Sequence, residues 1–521
     1  LPHSSCIPIR ISFVSGEQTP FGSILLLRFL PPALTAGIFK IIHANVRKFG
    51  GGVPIQRSAA LGKSEQSGMT DPAERTLRRL NEQKPGRISM PGEQSYAAAT
   101  AIWAKPVDRA PRAIFNCQST EDVQAAIRAG GECGLALSVR SGGHDWTGRA
   151  LCDGLVINLA DMNTVVVDAE RQSVLISGGA RASDVVAVTD PLGIVAVTGS
   201  CGGVGMVGLT LGGGYGPLIG RFGLALDNLI AADIVLADGS SIRATEDTHD
   251  DLFWALRGGG GNFGVVTAIQ QRLHNLPSVR SGMLVFPFAE ARTVLERCGE
   301  LAASAPDELT IQLGFVVDPN GGAPLLLVVP TWSGLPHEAE RSLARFSRLG
   351  PPMTGTLDMM PYGGRLALFD PHVVYGHRVI METVWLPALD VGSIDALLQA
   401  IATAASPGCA IFTHEFKGAA ARVPETSTAF GLRRGHILVE IVASFVDQSH
   451  FLDERKHRQW AQTTFMALGI TALPGGYPNL LAGGNPIRTT QSYGRNASRL
   501  IETKRQYDPG NVFSATPLPE Q

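Results

Sequence analysis

No two cysteines in this chain stand in a C-x-x-C spacing, which excludes a zinc ribbon and a thioredoxin-type redox motif. The seven cysteines are odd in number and scattered over 521 residues, so they do not read as a disulfide framework. An excess of one charge is missing as well. The 44 basic residues balance 46 acidic ones, and neither a basic stripe for nucleic acid nor a charged tail stands out. The apolar stretch FGSILLLRFLPPALTAGIF is broken by Arg28 and by Pro31–Pro32. That leaves no charge-free run of about 18 residues there for a membrane span. The chain begins with Leu1, and residues 1–70 are expected to be a leader, disordered or non-native, with Met69 and Met90 as other starts. A cytoplasmic protein is expected, with secretion left open by that uncertain start.

What the chain has in quantity is glycine, 60 residues of it, without a collagen period. Such use means tight turns and close approaches of backbone to something. Ordered sequence is expected from about Asp71, where DPAERTLRRLNE has a capping Asp-Pro start and helical spacing. Elements then alternate. AIFNC is a strand, STEDVQAAIRAGGECG a helix opened by the capping box Ser119-x-x-Asp122, and LALSVR a strand ending at Arg140. LVINLA, TVVVD and SVLISGGA are short β-rich runs, and RASDVVAVTDPLG is a helix. NLIAADIVLADGSSIRAT reads as two strands joined at Asp238–Gly239. After about Pro277, longer strands such as LTIQLGFVV, APLLLVVPTW, RVIMETVW and HILVEIVASFV predict an antiparallel sheet carrying helices. The tail closes with a helix, SRLIETKRQY.

Two glycine loops stand out: VRSGGHDWTG and TGSCGGVGMVGLTLGGGYG. In the second, half of the 18 residues after Thr198 are glycine, and Gly203, Gly205 and Gly208 spell G-x-G-x-x-G. A dinucleotide fingerprint needs a helix after those glycines to aim its dipole at a pyrophosphate. Only Leu209, Thr210 and Leu211 precede the next glycines, so no helix is expected there. The second match, Gly259-x-Gly261-x-x-Gly264, runs into the strand-like VVTAIQQRL. A NAD-binding domain is therefore disfavoured. Residues without Cβ still let N–H groups converge on an anion, or a flat ring approach the main chain. Each loop also holds one nucleophile, His144 and Cys201.

The chain resembles the FAD-linked oxidases of the vanillyl-alcohol oxidase / p-cresol methylhydroxylase fold, in the berberine-bridge-enzyme-like branch. The resemblance rests on SVRSGGHDWTGRALCDGLVINLADMN, GSCGGVGMVGLTLGGGYG, RFGLALDNLIAADIVLADG, DLFWALRGGGGNFGVVT and YGRNASRLIETKRQYDPGNVF, with RISMPGEQSYAAATAIW at the start. It covers about residues 88–513. It implies an α+β fold of two domains: a PCMH-type FAD-binding domain over 71–280 and 476–521, and an inserted substrate domain of antiparallel sheet plus helices over 281–475. It further implies a bicovalent FAD, with His144 joined to the 8α-methyl carbon and Cys201 to C6. An imidazole nitrogen and a thiolate are side chains able to add to an electron-poor ring. Relatives with one linkage keep the histidine and lack the cysteine. No metal is implied.

By the same resemblance, Arg140, Ser141, Gly142, Gly143, His144 and Asp145 cradle the pyrophosphate. Thr198, Gly199, Cys201, Val204, Gly205 and Gly208 pass close to the ring and ribityl chain. Asn262 to Val266 lie by the adenine, and Tyr493 and Asn511 return to the flavin domain. The implied reaction moves a hydride from an alcohol, sugar or natural-product carbon to flavin N5, and dioxygen reoxidises the flavin to give peroxide. A dehydrogenase with another acceptor is the rival reading. A flavin-bearing binding protein without catalysis is disfavoured, since it has no need of both covalent positions. Tyr477, in GGYPNLL, is the first candidate base, with Asn479 as a flavin contact. Pro478 fills a position that departs from the family's Y-x-N segment. A phenol titrates near ~10 and needs a neighbour to act at neutral pH. Glu440, which shares a strand face with His436, is the second candidate. Tyr375 and His414, in strand-like segments, are weaker ones. The expected partners are a small-molecule substrate and dioxygen, with no nucleic acid.

Overall fold

The computed structural model describes residues 71–105, 109–318, 322–446 and 451–520. The expected leader, residues 1–70, lies outside the described residues. The first helix, Pro72–Gln83, starts as its sequence dictates: the Asp71 carboxylate accepts the Ala73 N–H at 3.1 Å, and Pro72 fills the first turn. The helix Thr120–Cys133 is capped by Ser119, whose hydroxyl accepts the Asp122 N–H, and ends at Gly134 in the left-handed region.

Three sheets organise the rest. Ala113–Asn116, Leu155–Asn158 and Leu137–Arg140 run parallel to one another, with Ile88–Ser89 antiparallel at the edge. An antiparallel sheet orders Val165–Asp168, Ser173–Ser177, Val265–Arg272, Leu229–Val235 and Ser241–Thr245. The third is an eight-stranded antiparallel sheet that includes Leu309–Val316, Leu325–Trp332, Arg378–Leu386, Cys409–Phe416 and His436–Phe445. Its alternation separates two faces. Ile311, Leu313, Val328, Ile411, Val439 and Ile441 pack against Leu295, Leu397 and Trp460 of the covering helices. Residues one position along, such as Val329, Phe412, His414 and Glu440, face the other way.

The end of the chain returns to the first half. Lys504 Nζ donates to the Asn262 and Phe513 carbonyls and to Asp508, at 2.7, 2.6 and 2.6 Å. Asn262 and Thr516 exchange two hydrogen bonds, both of 3.0 Å. Phe513 completes the core around Phe115 and Ile157.

Two expectations need correction. A short helix, Met206–Gly212, does follow the glycine loop, running through Gly208. It forms because Met206, Val207 and Leu211 bury one side of it, which outweighs the poor helix propensity of its glycines. It stops at Gly213, whose φ of +149° no helix tolerates. Tyr375 lies in a turn before the strand Arg378–Leu386, not in a strand. Among the described residues no helix is long and apolar enough to cross a membrane.

Candidate active site

The two glycine loops meet. A Cβ on Gly142 would stand 2.5 Å from Gly205 Cα, so the backbones touch with no room for a side chain. Each loop is anchored on its own side. Ser141 Oγ donates to the Gly178 carbonyl at 2.6 Å, and the Asp145 carboxylate accepts the Thr147 and Ala150 N–H groups at 2.9 and 2.8 Å. Together they wall a cavity of about 340 Å³, whose lining also takes in Gly261, Gly264, Ala515 and Thr516.

His144 lines that cavity and stacks on the Trp103 indole, with centroids 4.8 Å apart and planes 5° from parallel. Its Nδ1 is buried and has no hydrogen-bond partner. Burial lowers the imidazole pKa to about 4, so the ring is neutral near pH 7 and its lone pair is uncommitted. Cys201 also lines the cavity, packed with Val329 and Phe369. Burial pushes its thiol up to about 12, with Asp370 adding to the effect. It is therefore a thiol at neutral pH and not the thiolate that its chemistry suggests. None of the described cysteines forms a disulfide.

Opposite the loops, Tyr477 and Asn479 fill space left by glycine. A Cβ on Gly213 would stand 2.8 Å from the Tyr477 ring, and one on Gly212 would overlap the Asn479 side chain. The Tyr477 oxygen accepts the Gly214 N–H at 3.0 Å and an Asn479 Nδ2 donor at 3.3 Å. Burial nevertheless pushes the phenol up to about 12, with Glu440 contributing, so Tyr477 keeps its proton. Tyr215 packs edge-on against it and donates its O–H to His436 Nε2 at 2.7 Å. The His436 Nδ1–H goes to the Arg434 carbonyl at 2.8 Å, which fixes the neutral tautomer. Glu440 lies 3.3 Å from His414 Nε2, and His414 Nδ1 faces Ser200 Oγ at 3.4 Å. A carboxylate, an imidazole and a hydroxyl thus run in line to the residue before Cys201.

Of the residues singled out in the sequence, Ser141, Gly142, Gly143, His144, Asp145, Gly199, Cys201, Val204, Gly205, Gly208, Val266, Asn479, Tyr477, Glu440 and His414 line the cavity. Four do not. Arg140 folds under its own loop, donating to Asn158 and the Ala101 carbonyl. Thr198 bonds Tyr362 at 3.1 Å, Tyr493 donates to the Pro517 carbonyl, and Asn511 stands at an exposed turn. Asn262 is buried beside the cavity and holds the tail. Sequence reasoning missed Trp103, Ser200, Tyr215 and Asp370. Ser200 and Tyr215 lay inside the glycine loop, whereas Trp103 and Asp370 carried no signal of their own.

The donor set suits a flat, anionic dinucleotide cofactor. Residues 111–245 match the family described as FAD binding domain, and 476–517 match that described as berberine and berberine like. An FAD-linked oxidoreductase of Dictyostelium discoideum is 28% identical over 434 residues, covering 82% of this chain and 93% of that one. The (R)-6-hydroxynicotine oxidase of Paenarthrobacter nicotinovorans is 34% identical over 54% of this chain and 62% of its own. Among solved structures, 6-hydroxy-D-nicotine oxidase from Arthrobacter nicotinovorans superposes with a TM-score of 0.74 at 27% identity, covering 83% and 97% of the two chains. Berberine bridge enzyme from Eschscholzia californica shares the fold, with a TM-score of 0.75 at 20% identity over 85% and 99%. The molecule is an FAD-binding flavoprotein oxidoreductase. Within that class it is similar to the berberine-bridge-enzyme-like oxidoreductases over both matched segments, and it has their PCMH-type FAD-binding fold.

Proposed function

We propose that this enzyme is an oxidase that carries FAD covalently on His144 and Cys201 and oxidises a carbon–hydrogen bond of an alcohol, sugar or natural-product substrate, with dioxygen as the electron acceptor. The observation that carries this reading is that His144, whose buried Nδ1 has no hydrogen-bond partner, and Cys201 line the same glycine-walled cavity. A neutral imidazole with an uncommitted lone pair is the form that can bond to carbon.

FAD, when bound, supplies the two-electron acceptor. The remaining work falls to the chain. Residues 142–145 would hold the pyrophosphate, and Gly199, Val204, Gly205 and Gly208 would let the ring lie against the main chain. Glu440 takes the proton from the substrate hydroxyl or amine, with His414 Nε2 steadying the carboxylate at 3.3 Å. Tyr477, with its oxygen already accepting two N–H donors, keeps its proton and donates it as a hydrogen bond. This reverses the order of the two candidate bases suggested by sequence. The relative named as a 6-hydroxynicotine oxidase supports a small organic substrate.

The test is absorbance before and after acid precipitation, on wild type, His144→Ala, Cys201→Ala and the double variant. A yellow wild-type pellet, with flavin released in full only by the double variant, is expected. Free flavin in the wild-type supernatant overturns the covalent reading, and absence of peroxide during turnover overturns the oxidase reading.

A further inference from the structure

One turn of the substrate domain, residues 370–377, touches both candidate attachment loops. At one end, the Asp370 carboxylate accepts the Gly202 N–H at 2.7 Å, immediately after Cys201. The fit is close: a Cβ on Gly202 would stand 2.9 Å from the other Asp370 oxygen. Phe369 and Val373 pack on the Cys201 side of the same loop. At the other end, the Gly376 N–H donates to the Trp103 carbonyl at 3.1 Å, and the His377 carbonyl accepts the Lys105 N–H at 2.8 Å. The Trp103 and Ala104 N–H groups in turn donate to the Gly143 and Asp145 carbonyls, at 2.9 and 3.0 Å, on either side of His144. The Trp103 indole lies flat on the imidazole. The turn itself is held to its sheet by His377 Nδ1 and Ser444 Oγ, 3.0 Å apart.

The two attachment loops meet at Gly142 and Gly205, and this turn bonds directly to the residue after Cys201 and, through residues 103–105, to the residues flanking His144. We propose that residues 370–377 act as a jig for covalent flavin attachment, with Asp370 positioning Cys201 through the Gly202 N–H and Gly376–His377 positioning His144 through Trp103. The inference rests on the covalent reading above. Each bond is formed by the same balance. The Cys201 S–H and a ring C–H hydrogen are lost as the S–C bond forms, and dioxygen takes the two electrons and two protons as hydrogen peroxide. For His144, the N–H and a methyl C–H hydrogen are lost in the same way. Asp370 raises the Cys201 thiol rather than ionising it, so what it contributes is placement.

Placement makes a selective forecast, since a misplacement of about 1 Å slows a bond-forming step roughly 100-fold. The experiment digests FAD-loaded full-length protein and maps flavin-bearing peptides by mass, with the free thiol alkylated after unfolding. In wild type, the flavin is expected to bridge the His144 and Cys201 peptides. Asp370→Ala is expected to leave flavin on the His144 peptide and an alkylated Cys201. Asp370→Asn, which keeps an oxygen for the Gly202 N–H, is expected to behave as wild type. Trp103→Leu is expected to show the reverse selectivity, with the thioether kept and the histidine bond lost. A folding defect would lower both bonds together. The Asp370 pair decides, since Asp370→Asn separates lost placement from a folding defect, and Trp103→Leu tests the indole contact to His144 alone. Bridged flavin at the wild-type fraction in Asp370→Ala, or equal loss of the thioether in Asp370→Ala and Asp370→Asn, overturns the proposal. Wild-type protein without bridged flavin overturns the covalent reading beneath it, and is seen before any variant is compared.

Discussion

Gly142 and Gly205 lie back to back, so close that a Cβ on Gly142 would stand 2.5 Å from Gly205 Cα and one on Gly205 would stand 2.6 Å from the Gly142 nitrogen. The obstacle on each side is main chain, which cannot swing aside. Gly142→Ala must therefore part the two loops. We expect a loss of about 1–3 kcal/mol of stability, together with reduced flavin content at equal expression. Urea midpoints and the ratio of flavin to protein absorbance check both. Gly131→Ala is the control, because it is exposed on a helix away from the cavity and nothing stands within 4 Å of a Cβ there.

In the proposed mechanism Glu440 takes the proton and Tyr477 keeps its own, unlike a tyrosine-based mechanism. Glu440→Gln keeps the shape and the contact to His414 but removes the base. We expect kcat to fall roughly 10²–10⁴-fold with flavin content unchanged. Tyr477→Phe loses the hydrogen bonds of the phenol oxygen but no base, and is expected to cost less than about tenfold in kcat. A larger effect at Tyr477 than at Glu440, in stopped-flow flavin reduction, would restore the phenol as base.

Arg433 is fully buried and joins Asp227 through two hydrogen bonds of 2.9 and 2.8 Å, tying the segment after the glycine loop to the strand-rich half. Asp227 also accepts the Leu224 N–H at 2.9 Å. Asp227→Ala strands a buried cation, and a loss of about 3–5 kcal/mol is expected from denaturant unfolding. Replacing Arg433 and Asp227 together by apolar residues is expected to cost less than the single change.

His436 gives a stability that depends on pH. Burial lowers its pKa to about 3, while in the unfolded chain it titrates near about 6.5. Below about pH 6.5 the unfolded chain thus binds the extra proton, and stability falls as pH falls through that window. His436→Gln removes this contribution. The variant is expected to be less stable than wild type at pH 8, with the gap narrowing by about 2 kcal/mol at pH 5. A gap that does not change with pH would mean that His436 is charged in the native state.

The sequence made the two glycine loops, their nucleophiles and the order of strands legible, because turns, caps and period-two alternation are local. The helix Met206–Gly212 was hidden because its propensity is poor and its support is tertiary. Asp370 was hidden for the same reason: an ordinary Asp-Pro turn acquires its role only by meeting Gly202, 168 residues away. The proposed preference for Glu440 over Tyr477 rests on the burial of the phenol, which the sequence could not supply. Arg140, Thr198 and Tyr493 belong to the segments the resemblance marks, yet they hold those segments in place rather than line the cavity, and Asn511 stands at an exposed turn.

The Lys504 knot, which binds Asn262 to Phe513 across about half the chain, also sets an order of events during synthesis. A chain leaving the ribosome amino end first can build both inner sheets long before Lys504 and Thr516 emerge. Until then the rim at Gly261 and Gly264 lacks Ala515 and Thr516, two of the residues that wall the cavity. If the proposed covalent attachment holds, permanent capture of the dinucleotide would wait for the carboxyl end, and a stalled or clipped nascent chain would release its ligand instead of trapping it.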